Sequence, residues 1–310
     1  MVFFEETNPR DIPLDVVKTA LRVFFPAITS EEIKFFYHGT YNVFEVKLEY
    51  IFRFPDQSLF NQKGFDLIQR ERQLLDLLRP YISVNIPQFL HISSDPKTPF
   101  VGYRKIPGKS LSQCVKKATS EQKKELAKQI GCFLSELHSP TFYKIFTTKW
   151  PSNFSPDTYR AYWMNFYEAV RERIYPRFSF SQKDWVTNLF SAFLEDKHNF
   201  RFIPRITHCD FDTSNILVDP TAFHLTGIID FEDTRVWDPA GDFLFHDEAL
   251  NSLNELLSYY THPLGTNFEQ RMNFLRKRSP LTYLLTGIDL NYPRMVDAGF
   301  EMLKQEMEVA

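Results

Sequence analysis

Residues 206–233 read ITHCDFDTSNILVDPTAFHLTGIIDFED and hold a spaced set of oxygen-bearing side chains. Asp210 follows His208-Cys209, Asn215 stands five residues further on, and Asp230 sits in Ile229-Asp230-Phe231. These residue types suit phosphoryl transfer. An attacking hydroxyl needs a carboxylate beside it to orient it and receive its proton, a task Asp210 can fill. The phosphate side needs hard oxygen ligands for Mg²⁺; Asn215 offers a neutral amide oxygen and Asp230 a charged carboxylate. Asp and Asn taken singly are common turn formers. The joint pattern, Asp-x4-Asn-Ile-Leu, a hairpin, then Ile-Ile-Asp-Phe, carries the reading. His208 reads as a buried orienting residue rather than a ligand or base.

The elements that must position these groups follow from periodicity. Strands over 215–219 and 225–230, joined by a turn at Pro220, bring Asn215 and Asp230 to neighbouring strand ends. Upstream, IKFFYHG (33–39), VFEVKL (43–48) and IFRF (51–54) are β-rich runs separated by turn-sized gaps and predict a meander. A helix is predicted over 14–25, stopping at Pro26, and another over 65–78, ending before Pro80. FVGYRKI (100–106) reads as a strand broken by Pro107-Gly108. Downstream the pattern is mainly helical: 121–138, with Thr119 as N-cap and Gln122 completing a capping box, then about 157–177 and 182–197. RITH (205–208) is a short β run, and 239–309 reads as several helices. The fold class is therefore α+β. An N-terminal antiparallel-sheet lobe with its connector spans 1–106, and a larger, mainly helical lobe spans 107–310.

Length and composition agree with two lobes. The 310 residues exceed the ~150 that serve as a soft prior for one domain. A 43% hydrophobic chain with 32 Phe can bury a sizeable core and is not of disordered type. Thirty-six basic against 39 acidic residues, net −3, argue against a general nucleic-acid binder. Three widely spaced cysteines indicate neither a disulfide framework nor a zinc site. MVFFEETNPR lacks the charge and apolar pattern of a secretory signal, and no stretch approaches the ~20 apolar residues of a membrane span. The expectation is a cytoplasmic protein without nucleic-acid or membrane partners. Gly108-Lys109-Ser110 mimics the end of a phosphate-binding G-x-x-x-x-G-K-S loop, but its first Gly should be at 103, which is Tyr103.

The spacing of Asp210, Asn215 and Asp230 matches the protein-kinase template H-R-D-x-x-x-x-N followed by D-F-G, with Cys209 for the Arg and Glu232 for the Gly. Together with YIFRFP (50–55), FVGYRKIPGKSL (100–111), FLSELHS (133–139) and GIIDFEDTRVWDPAGDF (227–243), the segment HCDFDTSNILVD (208–219) resembles the aminoglycoside phosphotransferase family, small-molecule relatives of those kinases. The 2″-phosphotransferases look most similar within it. The resemblance implies a bilobal protein-kinase-like fold. It also implies Mg²⁺-dependent transfer of the γ-phosphate of ATP or GTP to a hydroxyl of a small molecule. The expected acceptor is an aminoglycoside or related amino sugar, and so cationic.

Residue by residue, the resemblance makes Asp210 catalytic and Asn215 and Asp230 the metal ligands. It puts Arg53 on the third strand, where such folds keep a phosphate-contacting lysine, and pairs it with Glu71 on the following helix. Arginine stays charged and can fork onto phosphate and carboxylate oxygens together. Lys47, one strand earlier, is the competing candidate. His38-Gly39-Thr40-Tyr41-Asn42 takes the place of the nucleotide-covering loop, with a single glycine. Arg104 and Ile106 would hold the base through main-chain atoms, with Leu217 and Ile229 lining it. Asp238 and Asp242 resemble structural acids beneath the catalytic loop, and Asp233 and Glu248 fall near positions that contact aminoglycoside amino groups.

The acids between Asp230 and Glu248, relieved only by Arg235, suit a polycationic acceptor and equally suit a solvated helix start. Tyr159, Tyr162, Trp163, Tyr283 and Tyr292 are expected as core or rim packing. Three other readings stay open: a kinase of choline, homoserine or a sugar; a non-catalytic nucleotide-binding protein of the same fold; and a metal-dependent hydrolase using His208, Asp210, His224 and Asp230.

Overall fold

The computed structural model describes residues 12–38, 41–250 and 253–309. The chain divides into two compact units, one of residues 1–136 with 213–233, the other of 137–212 with 234–310.

In the first unit, β1 (Ile33–His38), β2 (Tyr41–Val46), β3 (Tyr50–Pro55), β4 (Phe89–Ile92) and β5 (Val101–Arg104) form an antiparallel sheet in the order β1-β2-β3-β5-β4. The meander expected over 33–54 is thus present, and 51–54 is its third strand. Period-two alternation gives each face its own core. Phe44, Val46, Phe52 and Phe54 pack with Ile12, Val17, Leu21 and Phe100 on one side. Tyr41, Val43, Ile51, Val101 and Tyr103 pack with Ile68 on the other. The first face is covered by helix Leu14–Leu21, which stops four residues short of the expected end. The second is covered by helix Gln62–Leu78. Asn61 caps that helix, its side chain accepting from Lys63 N at 2.9 Å and Gly64 N at 3.3 Å. A side chain at Gly64 would put its Cβ 2.0 Å from Leu59 O, so only glycine lets the chain enter here.

A second, three-stranded sheet in this unit runs β6 (Lys109–Ser110), β8 (Ile216–Val218), β9 (Leu225–Ile228). Gly108, at φ 126°, turns the chain against Val218 O, so the Gly108-Lys109-Ser110 sequence is the start of a strand pairing and not a phosphate loop. Helix Ser120–Leu137 begins as expected: Thr119 N donates to Gln122 Oε1 at 2.9 Å, and Gln122 N donates to Thr119 Oγ1 at 3.2 Å.

The second unit is mainly helical, with Pro140–Lys149, Pro156–Arg173, Phe180–Glu195, Phe268–Lys277, Ser279–Asp289 and Pro293–Val309 as its longer helices. Among the described residues its β structure is one ribbon, β7 (Arg205–Thr207) antiparallel to β10 (Arg235–Trp237). Sheet lobe and helical unit together make the α+β, kinase-like fold class expected from the sequence. Among the described residues no helix is long and apolar enough to cross a membrane.

Candidate active site

Arg53 lies on the sheet face that carries Tyr41, Val43 and Ile51, because Ile51 and Arg53 are two residues apart on β3. Helix Gln62–Leu78 covers that face and brings Glu71 to it. The guanidinium donates from Nη1 to Glu71 Oε1 at 2.8 Å and from Nη2 to Asp230 Oδ1 at 3.1 Å, with Glu232 Oε2 at 3.5 Å. Its carbon sits 4.2 Å from the Tyr41 ring centroid. Lys47 is not on this face. It occupies the β2–β3 turn at φ 55°, pairing with Glu32 at 3.7 Å.

One guanidinium therefore answers three carboxylates. Burial pushes the Glu71 carboxyl up, against the pull of Arg53. Burial likewise drives Glu232 up to about 8; Arg53 pulls it down, while Asp230 and Glu71 push it further up. Tyr41 is buried on the same side and pulls the Glu232 carboxyl down. Glu232, which sequence comparison marks only as a departure from glycine, is thus a member of the cluster. Its signal was the extra carboxylate two residues after Asp230.

Asn215 and Asp230 stand at the same end of the β8–β9 hairpin. Ile216 pairs with Ile228, and Ile229 N donates to Asn215 O at 3.1 Å. Asn215 is buried, whereas the Asp230 side chain keeps 29% of its surface. Asp230 adopts φ 69°, a left-handed conformation that costs a non-glycine residue energy and is held where its surroundings impose it.

Leu217 pairs with Gly227 on this hairpin, and both Leu217 and Ile229 are half-buried. A Cβ on Gly227 would lie 2.6 Å from Ile106 Cγ2, so glycine admits Ile106 onto the hairpin. Arg104 closes β5 opposite Tyr50, and its side chain points to solvent at 70% exposure, pairing with Glu49. Of the loop expected over 38–42, Gly39 and Thr40 lie outside the described residues; Tyr41 and Asn42 are the buried start of β2.

Asp210 belongs to the second unit, five residues before Asn215 in sequence, and is exposed. The backbone leading to it is clamped from below. The buried Asp242 carboxylate accepts from His208 N at 2.7 Å and from Cys209 N at 3.0 Å. His138 Nε2 lies 3.0 Å from the same carboxylate, and His138 Nδ1 lies 2.9 Å from Tyr260 Oη. Cys209 is held at φ 68°. His208 is fully buried with its ring against Phe211, centroids 5.5 Å apart. Asp238 caps Ala240 N at 3.0 Å and receives the Arg271 guanidinium at 2.8 and 3.2 Å and the Tyr159 hydroxyl at 3.2 Å. Both acids thus lie in the interior.

Asp233 is exposed in the first unit. Glu248 falls in the short helix His246–Ala249, and its side chain lies outside what the structure describes. Tyr159 and Trp163 are core residues, as expected.

Among the described residues no group of three or more His, Cys, Asp or Glu could by itself hold a metal ion. Mg²⁺ does not require such a cage, since it keeps waters and takes one or two carboxylates beside substrate phosphates. Three carboxylates meet one guanidinium around Asp230, a setting that a divalent cation relieves.

Comparison with known proteins places this geometry in context. A family model described as the phosphotransferase enzyme family matches residues 32–268. The GDP complex of wild-type aminoglycoside 2'-phosphotransferase-IIIa is similar at 26% identity and TM-score 0.80, over 94% of this chain and 97% of that one. The GDP and kanamycin complex of APH(2″)-IIIa is similar at 26% identity and TM-score 0.81, over 94% and 98%. Macrolide 2'-phosphotransferase MphH from Brachybacterium faecium shares the fold at 17% identity and TM-score 0.70, over 94% and 98%.

Proposed function

The chain belongs to the phosphotransferase enzyme family, and from that premise we propose that it transfers the γ-phosphate of ATP or GTP to a hydroxyl of a small molecule in the cytoplasm. The observation that carries the proposal is the Arg53–Glu71–Asp230 chain of contacts at 2.8 and 3.1 Å; in this reading it joins the cation that would meet the phosphates to the carboxylate that would hold the metal.

In this reading Asp210 accepts a hydrogen bond from the acceptor hydroxyl, orients it and takes its proton as the new bond to the γ-phosphorus forms and the bond to the bridging oxygen breaks, releasing the nucleoside diphosphate. The Asp242 clamp on the amides of His208 and Cys209 fixes the loop, so little reorganisation is needed at the moment of transfer. Arg53, restrained by Glu71, presents its remaining donor capacity to the nucleotide phosphates. Ile106, Leu217 and Ile229 contact the base, and main-chain atoms of 104–106 fix its orientation. Asn215 and Asp230 would hold Mg²⁺, which neutralises phosphate charge when bound. Residues 1–106 serve the nucleotide and 107–310 carry the catalytic loop and the acceptor.

Kanamycin, gentamicin and streptomycin appear in complexes of similar structures. An aminoglycoside or related amino sugar is therefore the first acceptor class to test, with Asp233 and Glu248 as its contacts. The experiment is a nucleotide-turnover assay with Mg²⁺ and a panel of amino sugars, sugars, choline and homoserine. Acceptor-dependent release of nucleoside diphosphate with a phosphorylated product supports the proposal. Nucleotide binding without product across the panel favours the non-catalytic reading.

A further inference from the structure

Beside the catalytic loop, the second unit holds two guanidiniums that no carboxylate answers among the described residues. Arg278 donates from Nη1 to Thr282 Oγ1 at 2.5 Å, while its Nε is buried with no partner. Its guanidinium carbon lies 5.3 Å from the Trp163 ring centroid. Arg235, on β10, is exposed and stacks on Trp237 at 4.7 Å. Among the described residues neither arginine makes an ion pair.

Tyr162 joins the two stacks, its ring 4.9 Å from Trp163 and 4.9 Å from Trp237. The cluster runs from the interior, where Trp163 is 2% exposed, to the surface, where Tyr162 is 43% exposed. It adjoins the approach to Asp210 through Thr207. That residue pairs with Arg235 across the ribbon, bonds to Arg235 O at 3.2 Å and lies 3.0 Å from Cys209 Sγ. Burial pulls Arg278 down and Arg235 adds to that pull, while Tyr162, Tyr159 and Cys209 act against it.

A half-buried arginine cannot shed its proton, and a second cation beside it raises the cost of holding both. Aromatic faces return only part of that cost. Such a pair is retained where an anion completes it, and the planar forks of two arginines suit a compact oxyanion.

We propose that Arg235 and Arg278, framed by Tyr162, Trp163 and Trp237, form an anion subsite beside Asp210, and that the acceptor carries a carboxylate or phosphate group along with its reactive hydroxyl. The subsite stands on the cluster itself; that it serves the acceptor rests on the phosphotransfer reading above. An amino sugar bearing an anionic substituent satisfies both readings, and a purely polycationic one does not.

The test uses the full chain with its nucleotide site saturated by a non-hydrolysable ATP or GTP analogue and magnesium. Sodium sulfate replaces chloride at constant ionic strength, and tryptophan fluorescence reports binding. The expected result is saturable sulfate binding that weakens about tenfold or more in R235Q and in R278Q. R235Q alters an exposed side chain and serves if R278Q does not fold, and R278K keeps the charge while losing the fork. Unsaturable fluorescence change, or binding unaltered in R235Q, overturns the subsite.

A second arm compares phosphate transfer to glucose 6-phosphate, glucuronate, glucose and kanamycin. Preference for the phosphate or carboxylate sugar over glucose, shrinking about tenfold in R235Q, supports the acceptor assignment and separates the two anions. Preference for kanamycin, undisturbed in R235Q, overturns it. Sulfate binding without transfer to any acceptor counts against phosphotransfer while upholding the subsite; transfer without sulfate binding does the reverse.

Discussion

Arg53 and Asp230, 177 residues apart in sequence, meet at 3.1 Å between Nη2 and Oδ1, and the same guanidinium reaches Glu71 at 2.8 Å. A strand, a helix and a hairpin are thereby tied at one cation. Removing that cation leaves Glu71 buried and unanswered. Arg53→Met should cost about 3–5 kcal/mol in urea denaturation, the range for breaking one side of a buried pair. The double change Arg53→Met with Glu71→Leu should recover a large part of it. A double variant as unstable as the single one would mean that Glu71 is not what makes the loss costly.

The Glu232 carboxyl makes stability depend on pH. Held at about 8 against an ordinary 4.5, it keeps its proton in the folded chain through a window where the unfolded chain has lost it. The folded state binds more protons there, so stability falls as pH rises from about 5 to about 8. Glu232→Gln should flatten that fall, recovering on the order of 2 kcal/mol at pH 8 relative to pH 5. Denaturation midpoints of both proteins across the window check it, and a slope unaltered in the variant counts against the coupling.

Asp242 acts through the loop that precedes Asp210. Asp242→Asn keeps one oxygen but replaces the other with a donor that faces the amides of His208 and Cys209. We expect kcat to fall about tenfold to a hundredfold with nucleotide affinity unchanged, because only the catalytic loop loses its support. A change confined to nucleotide KM would place the role elsewhere.

Cys209 holds φ 68° without glycine's freedom. Cys209→Val should destabilise by about 1–3 kcal/mol, as a β-branched residue tolerates that region poorly, while Cys209→Gly should be close to neutral. Thermal melts of the two variants separate backbone conformation from any role of the thiol.

Much of this arrangement was legible in the sequence because it is local. Alternation over 33–54 gave the meander, and a turn count made 51–54 the third strand, which selects Arg53 over Lys47. The hairpin around Pro220 brought Asn215 and Asp230 together, and Thr119 with Gln122 marked a helix start. What escaped depends on tertiary partners. His138 meets Asp242 across 104 residues and Arg271 meets Asp238 across 33, and no periodicity announces either pair. β4 and β10 are too short for their pattern to stand out, and helix Leu14–Leu21 ends early because Phe24 and Phe25 pack on the sheet instead of continuing the helix. Among the acids after Asp230, Asp238 and Asp242 are buried with their own partners, in keeping with the structural acids expected beneath the catalytic loop, but those partners could not be named from the sequence.

In the proposed reaction Asp210 serves the acceptor hydroxyl and not the nucleotide. Single-turnover phosphate transfer and nucleotide affinity, measured side by side in the wild type and Asp210→Ala, test it most directly. Transfer should fall by about a thousandfold or more, with nucleotide Kd within about threefold of wild type. Equal loss of both, or transfer that survives the substitution, would contradict it.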